Sequence, residues 1–264
     1  MKDAVREACA LLEQGEVVAL PTETVYGLAA DAFNPGAVAK VFAAKDRPAF
    51  DPLIVHIASR GDLKTVAVVP DDLAETVNQL ISAFWPGPLT LILPRHPDLP
   101  ELVTSGLPTV AVRQSAHPVF RAINKAVGRP LAAPSANRFG SISPTSASAV
   151  IKELGGRIPL VVDAGACREG VESTIISIEP REGKKPVFRL HRAGPVTKEQ
   201  LQDFGKVEKV RDAVGQAPQA PGQLAGHYAP RTPLVLLENP ADFKPEEGKR
   251  YGLLSYTEIG RAHV

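Results

Sequence analysis

The chain has 264 residues, with 30 Lys plus Arg against 29 Asp plus Glu, a net charge of +1. That balance argues against a non-specific nucleic-acid binder, which needs a basic excess, and against an acidic disordered tail. With 44% hydrophobic and 22% charged residues the composition is that of a globular protein, long enough for one full domain and a piece of a second.

Residues 2–13 put Val5, Ala8, Cys9 and Leu12 on one helical face, which Gly15 terminates. Residues 16–20 read as a buried strand ending at Pro21. Asn34-Pro35 starts a helix carrying Val38, Val41 and Phe42 up to Lys45. Residues 53–57 form a short strand. Asp71-Asp72 cap a helix with Leu73, Val77, Leu80, Ile81 and Phe84, ended by Pro86-Gly87. Strands follow at 89–93 and 110–112, a helix at 118–127, and a strand at 131–133 running into Pro134. A helix at 146–154, strands at 160–162, 174–178 and 187–190, and a short helix at 198–204 complete the unit. Strands and helices interleave without strict alternation, so the expectation is an α/β fold on a mixed sheet. The 25 prolines are the compositional outlier. They repeatedly adjoin strand-like runs, at Leu20-Pro21, Asp51-Pro52, Gly87-Pro88 and Ala133-Pro134, where a proline ends the ladder and fixes a turn.

The texture changes after residue 205. Residues 206–231 are rich in charge, Gly and Pro and read as a linker. Residues 232–264 hold two expected strands, 234–237 and 251–254, too few to bury a core alone. The run Ile259-Gly260-Arg261-Ala262-His263-Val264 is what a common sequencing-library adapter translates to, and it is set aside as an expected artefact. Cys9 and Cys167 are far apart, which fits neither a disulfide scaffold nor a zinc ribbon and suits a reducing cytoplasm. No apolar run approaches the roughly 18 residues of a membrane span, and the charged N-terminus lacks a signal-peptide core.

P-loop, Rossmann, zincin and hydrolase-elbow motifs are all absent from the sequence. The polar candidates lie at strand ends instead. Thr22-Glu23-Thr24 follows Pro21, either as a ligand-binding strand end or as a turn with local hydroxyl bonds. Lys45 and Arg47 follow a helix and could clamp phosphate or simply complement the helix C-terminus. His56 sits in an apolar strand and must find a partner. Arg113, and Ser135 with Asn137, follow strands at the ends where open α/β sheets place ligand contacts. Ser173, Arg192 and Tyr228 come from later strands and the linker.

Taken together, residues 21–28, Lys45-Asp46-Arg47-Pro48, Pro52-Leu53-Ile54-Val55-His56, Trp85-Pro86-Gly87-Pro88-Leu89-Thr90, Val110-Ala111-Val112-Arg113, Ala133-Pro134-Ser135-Ala136-Asn137 and Glu172-Ser173-Thr174-Ile175 resemble the L-threonylcarbamoyladenylate synthase family, the YrdC-like proteins. The resemblance spans about residues 12–195. Ala220-Pro221-Gly222 and His227-Tyr228-Ala229-Pro230 look like the linker of the long two-domain members. It implies one YrdC-like catalytic domain over 1–205 on a large twisted mixed sheet, a linker over 206–231 that closes on the site, and an incomplete second α/β unit over 232–264. The implied reaction joins L-threonine, bicarbonate or CO2, and ATP into threonylcarbamoyl-AMP and pyrophosphate for tRNA modification. A transferase partner and transient tRNA contact are also implied, in the cytoplasm, away from membranes.

The resemblance assigns catalysis to Lys45 and Arg47. Threonine binding falls to Thr24, His56, Arg113, Ala133 and Ser173. ATP binding falls to Lys45, Arg47, Asp51, Thr109, Ser135, Asn137, Ser143, Arg192 and Tyr228. Mg2+ is expected on the triphosphate, with no protein ligand assigned. Asp51 departs from the family's usual Asn, and a carboxylate there repels phosphate unless it faces a cation. The competing reading is a non-catalytic YrdC-like nucleotide- or RNA-binding paralogue. A hydrogenase-maturation carbamoyltransferase is disfavoured because its zinc-finger cysteines are missing.

Overall fold

The computed structural model describes residues 2–210, and beyond them 232, 235–237, 239, 243–246, 248, 250–254 and 259–262. The chain divides into two units, Met1–Ala229 and Pro230–Val264. In the first, helix α1 (Lys2–Glu13) leads into strands β1 (Val18–Leu20) and β2 (Gly27–Asp31) and helix α2 (Pro35–Lys45). Then come β3 (Ile54–His56), α3 (Leu63–Val66), α4 (Ala74–Phe84), β4 (Leu89–Pro94), α5 (Glu101–Thr104), β5 (Thr109–Arg113), α6 (Pro118–Val127) and β6 (Leu131–Ala132). The unit continues with α7 (Ala147–Leu154), β7 (Leu160–Val161), β8 (Thr174–Glu179), β9 (Val187–Arg192), α8 (Lys198–Gln202) and β10 (Lys206–Lys209).

Local chemistry fixes the helix ends. Asn34 Oδ1 accepts the Ala37 N–H, and Pro35 supplies the fixed φ of the first helical position of α2. Asp46 closes α2 in the left-handed conformation at φ 51°, donating its N–H to the Ala43 and Phe42 carbonyls. Ser146 caps α7, and Gly128 at φ 68° ends α6.

Ten strands form one sheet in the order β10-β9-β8-β4-β5-β3-β6-β2-β1-β7. It is mixed, as the interleaved pattern implies: β3 runs parallel to β5 and β4 to β8, while β3–β6, β4–β5 and β8–β9 are antiparallel. One face carries the main core, with Leu28, Val55, Leu91, Val112 and Ile176 packed under Val38 and Val41 of α2 and Leu80 of α4. On the opposite face α1 and α6 cover only part of the sheet, through Ala8, Leu12, Phe120 and Ile123 against Val18, Leu20, Ala29 and Leu131. Further along, that face bears a small cluster of Ile54, Ile92, Ala111 and Ile175. A β-bulge between Ile175 and Ile176 reorients the end of β9 there.

Three expectations are corrected. Strand β2 is not anticipated by the periodicity, because all five of its residues are buried and no alternation marks it. The expected linker starts too early, since Lys206–Lys209 pairs in parallel with β9 through Val187–Leu190. In the second unit, residues 235–237 lie outside any strand. There β11 (Tyr251–Leu254) pairs antiparallel with β12 (Ile259–Ala262). No helix among the described residues is long and apolar enough to cross a membrane.

Candidate active site

Strand ends build one cleft. The turn after β1 supplies Thr22 and Thr24, β3 ends in His56, β5 ends in Arg113, and the chain leaving β6 supplies Ala133 and Ser135. Glu172, just before β8, Arg192 at the end of β9 and Arg47 after α2 complete the lining. His56 and Arg113 are register partners on adjacent parallel strands, which places the two side chains side by side.

The Thr-rich turn does both things its sequence allows. Thr22 Oγ1 donates to the Val25 carbonyl at 2.6 Å and accepts the Thr24 and Val25 N–H groups, so it is spent on the turn. Thr24 Oγ1 faces the cleft and accepts from Arg113 Nη1 at 3.0 Å. Arg113 is buried beside the equally buried Glu23, with Nη2 at 2.6 Å from Oε1. Ser115 donates to the other carboxylate oxygen, Oε2, at 2.5 Å. Burial by itself raises a carboxyl pKa; here the Arg113 charge and the Ser115 hydroxyl outweigh it and hold Glu23 at about 2. The Arg113–Glu23 contact is an ion pair out of line for a hydrogen bond, and Arg113 Nε and Nη2 have no hydrogen-bond partner.

His56 is buried against Phe120, with ring centroids 4.7 Å apart, and its Nδ1 has no hydrogen-bond partner. Burial, then the nearby Arg113 charge, lower its pKa to about 3, so the ring is neutral. The ring therefore lines the cleft without a charge.

On the other side of the cleft, Arg47 donates to the Asp51 and Pro52 carbonyls at 3.1 and 2.8 Å and pairs with Asp51 Oδ2 at 2.8 Å. The Asp51 carboxylate therefore faces a cation. Arg192 grips Ser173 twice at 2.9 Å, Nε to the carbonyl and Nη2 to Oγ, while Ser173 Oγ shares a 2.8 Å bond with Thr90 Oγ1. Glu172 lies 3.6 Å from Arg192 and accepts from Ser143 Oγ at 2.7 Å. Burial tends to raise its pKa, and Arg192 and Ser143 keep it below the ordinary value.

The structure thus gathers Thr24, Arg47, His56, Arg113, Ala133, Ser135 and Arg192 at the cleft, with Asp51, Ser143 and Ser173 in direct contact with its lining. Lys45 points elsewhere. Its buried ammonium donates to the Ser135 carbonyl and, at 2.5 Å, to the Asn137 carbonyl. Burial, then Arg47, push its pKa well below normal. Asn137 works within the same loop, donating to the Arg138 and Ser141 carbonyls, both at 2.8 Å. Thr109 opens β5 opposite Pro94, four residues before Arg113, or roughly 13 Å away along a strand, and does not line the cleft. Tyr228 lies outside the described residues. Sequence reasoning misses Glu23 and Glu172. The signal for both is a carboxylate beside hydroxyl residues at a strand end, in segments facing several arginines.

The chain is similar to known proteins in both sequence and fold. The family described as "Telomere recombination" (Sua5, YciO and YrdC) matches residues 10–193, and "Threonylcarbamoyl-AMP synthase, C-terminal domain" matches residues 196–262. The threonylcarbamoyl-AMP synthase of Bacillus subtilis is 44% identical over 269 residues, covering 96% of this chain and 74% of that protein. That of Pyrococcus abyssi is 40% identical, covering 95% and 76%. A crystal structure of P. abyssi Sua5 complexed with L-threonine is 42% identical with a TM-score of 0.78, over 86% of this chain and 65% of that one. E. coli YciO, at 17% identity and a TM-score of 0.63, shares the fold.

Proposed function

This chain belongs to the Sua5–YciO–YrdC family, and on that premise we propose that it is a threonylcarbamoyl-AMP synthase, a nucleotidyltransferase acting on L-threonine, bicarbonate or CO2, and ATP. The observation that carries the reading is the convergence of Arg47, Arg113 and Arg192 on one cleft beside Thr24 and a neutral His56.

Both reacting partners become anionic. The threonine amine attacks CO2, forming a C–N bond and releasing a proton to solvent. A carbamate oxygen then attacks the α-phosphorus, and pyrophosphate leaves with the bonding pair. Cations are needed where the negative groups meet, and nothing requires a covalent enzyme intermediate. In this reading Arg113 and Thr24 hold the threonine carboxylate. The neutral His56 ring lines the pocket beside the amine. A pKa near 3 makes it an orienting group, too weak a base to take the proton. Arg47 and Arg192 face the phosphates, with Ser135 on the same wall. Lys45 holds the 135–137 loop in place.

ATP enters as its Mg2+ complex, and the ion offsets phosphate charge. The cleft carboxylates fit an ion carried by phosphates and water, because Asp51 and Glu172 are each tied to an arginine or a serine. The product would pass to a transferase acting on tRNA in the cytoplasm. The test is pyrophosphate release from ATP, Mg2+ and bicarbonate with and without L-threonine. Threonine-dependent release supports the synthase; nucleotide binding with no release supports the non-catalytic paralogue.

A further inference from the structure

The Glu23 carboxylate is absent from the cleft lining yet sits directly behind it, 2.6 Å from Arg113. Both side chains are almost fully buried, so their charges are little screened by solvent. Ser115 donates to the second carboxylate oxygen, and its own Oγ accepts the His117 N–H at 3.2 Å, which ties this arrangement to the start of α6. On the cleft side, Arg113 Nη1 reaches Thr24 Oγ1, while Nη2 is the atom that meets Glu23. The amino-acid end of the cleft therefore presents a guanidinium whose charge is already matched from behind, next to an uncharged histidine.

We propose that Glu23 is a positioning and specificity-determining residue: it fixes Arg113 and makes this pocket neutral overall, so that it accepts a zwitterionic α-amino acid and rejects the same carbon skeleton carried as a plain carboxylate anion. The proposal rests on the threonine-dependent reading above. A lone buried guanidinium would favour a net anion, because an anion cancels its charge completely. A guanidinium already paired gains less from an anion, while a zwitterion brings no net charge into the pocket. A buried carboxylate held near pKa 2 stays ionised across the working pH range, so this selectivity is built in.

The experiment compares wild type, Glu23→Gln and Ser115→Ala. Calorimetry measures affinity for L-threonine, for 3-hydroxybutanoate (threonine's skeleton without the ammonium) and for ATP, alongside steady-state pyrophosphate release. Wild type is expected to bind threonine at least about ten-fold more tightly than 3-hydroxybutanoate. Glu23→Gln should weaken threonine binding and raise its KM about ten-fold, strengthen 3-hydroxybutanoate, and leave the ATP affinity within about two-fold. Ser115→Ala should shift the same ratio in the same direction by less, and it carries the test if Glu23→Gln does not fold. An unchanged threonine to 3-hydroxybutanoate ratio in both variants overturns the proposal while the synthase reading stands. A parallel loss of ATP affinity makes Glu23 merely structural and also overturns it. Wild type that binds no threonine overturns both.

Discussion

Gly194→Ala tests whether the cleft wall is held by backbone contact. Gly194 follows β9, and a Cβ there would lie 2.4 Å from the Glu172 carbonyl oxygen, 2.4 Å from the Thr174 nitrogen and 2.7 Å from the Ser173 carbonyl carbon. All three are main-chain atoms, so no side chain can rotate away. Restoring ordinary contacts needs a separation of about 1 Å, the scale at which overpacking costs about 1–3 kcal/mol or more in a close-packed interior. At about 2–4 °C per kcal/mol for a unit of this size, Tm should fall by about 5–10 °C. The displaced segment includes Ser173, which anchors Arg192 through its carbonyl and hydroxyl. The KM values for threonine and ATP should therefore rise together, by about ten-fold, as expected for a displacement of this size. Calorimetric melts and initial-rate kinetics read both effects. Gly183→Ala is the control: its φ of 64° strains an alanine, but nothing lies within 4 Å, and it sits in the turn between β8 and β9, which does not line the cleft. It should lower Tm by a few degrees and leave kinetics unchanged. Gly194→Ala with wild-type KM values and a smaller Tm loss than Gly183→Ala would refute the reasoning.

Lys45→Met removes the ammonium shared by the Ser135 and Asn137 carbonyls. Each orphaned carbonyl costs about 1–3 kcal/mol, partly offset because a buried charge is also removed. Activity should fall by about 100-fold with only a modest Tm loss, and retained activity would show that the loop does not need this anchor. Asp51→Asn removes the charge paired with Arg47. It should lower the ATP KM severalfold while reducing stability in urea titrations; an increase in KM would contradict a repulsive role for Asp51. The pH dependence of stability has a definite sign. His56 and Glu23 both have folded pKa values below their ordinary ones, about 3 and about 2, so folded protein binds protons less readily than unfolded chain. Stability should be full above about pH 6.5 and decline first through His56, then through Glu23 below about pH 4.5, each group contributing a slope of at most about 1.4 kcal/mol per pH. Urea midpoints at pH 7, 5.5 and 4 measure it, and a His56→Asn midpoint that falls as steeply between pH 6.5 and 5 would reject the assignment.

Much of this arrangement is legible in the chain. Pro21 and Pro134 after apolar runs mark the strand ends that carry Thr24 and Ser135 into the cleft, and Arg113 itself closes the apolar run of β5. A mixed sheet follows from strands that succeed one another near residue 180 without helices between. The partnerships are a different matter. Lys45 and Arg47 are separated by a single residue, yet the left-handed Asp46 between them sends one into a loop and the other into the cleft. Only the tertiary position of residues 135–137 decides that. Glu23 looks like an ordinary turn carboxylate until Arg113 and Ser115 arrive from about 90 positions downstream. Thr109 shares a strand with Arg113, and matching residues says nothing about which end of the strand meets the cleft. Strand β2 escapes notice because a doubly covered strand of Gly, Leu and Ala shows no two-residue period.

The order of strands in the sheet also bears on how the protein reaches its folded state. Strand β1 pairs with β7 some 140 positions later, and β4 with β8 more than 80 later. Pairings of such sequence separation close large loops before any contact rewards them, which makes this a slow-folding topology. The cleft takes residues from both extremes, from Thr22 to Arg192. During synthesis the ribosome must therefore release nearly all of the first unit before any pocket exists, and ligand can stabilise the chain only at the last stage of folding. For most of its assembly the apolar sheet has neither its final neighbours nor a ligand to protect it. That interval is when the protein is most exposed to aggregation.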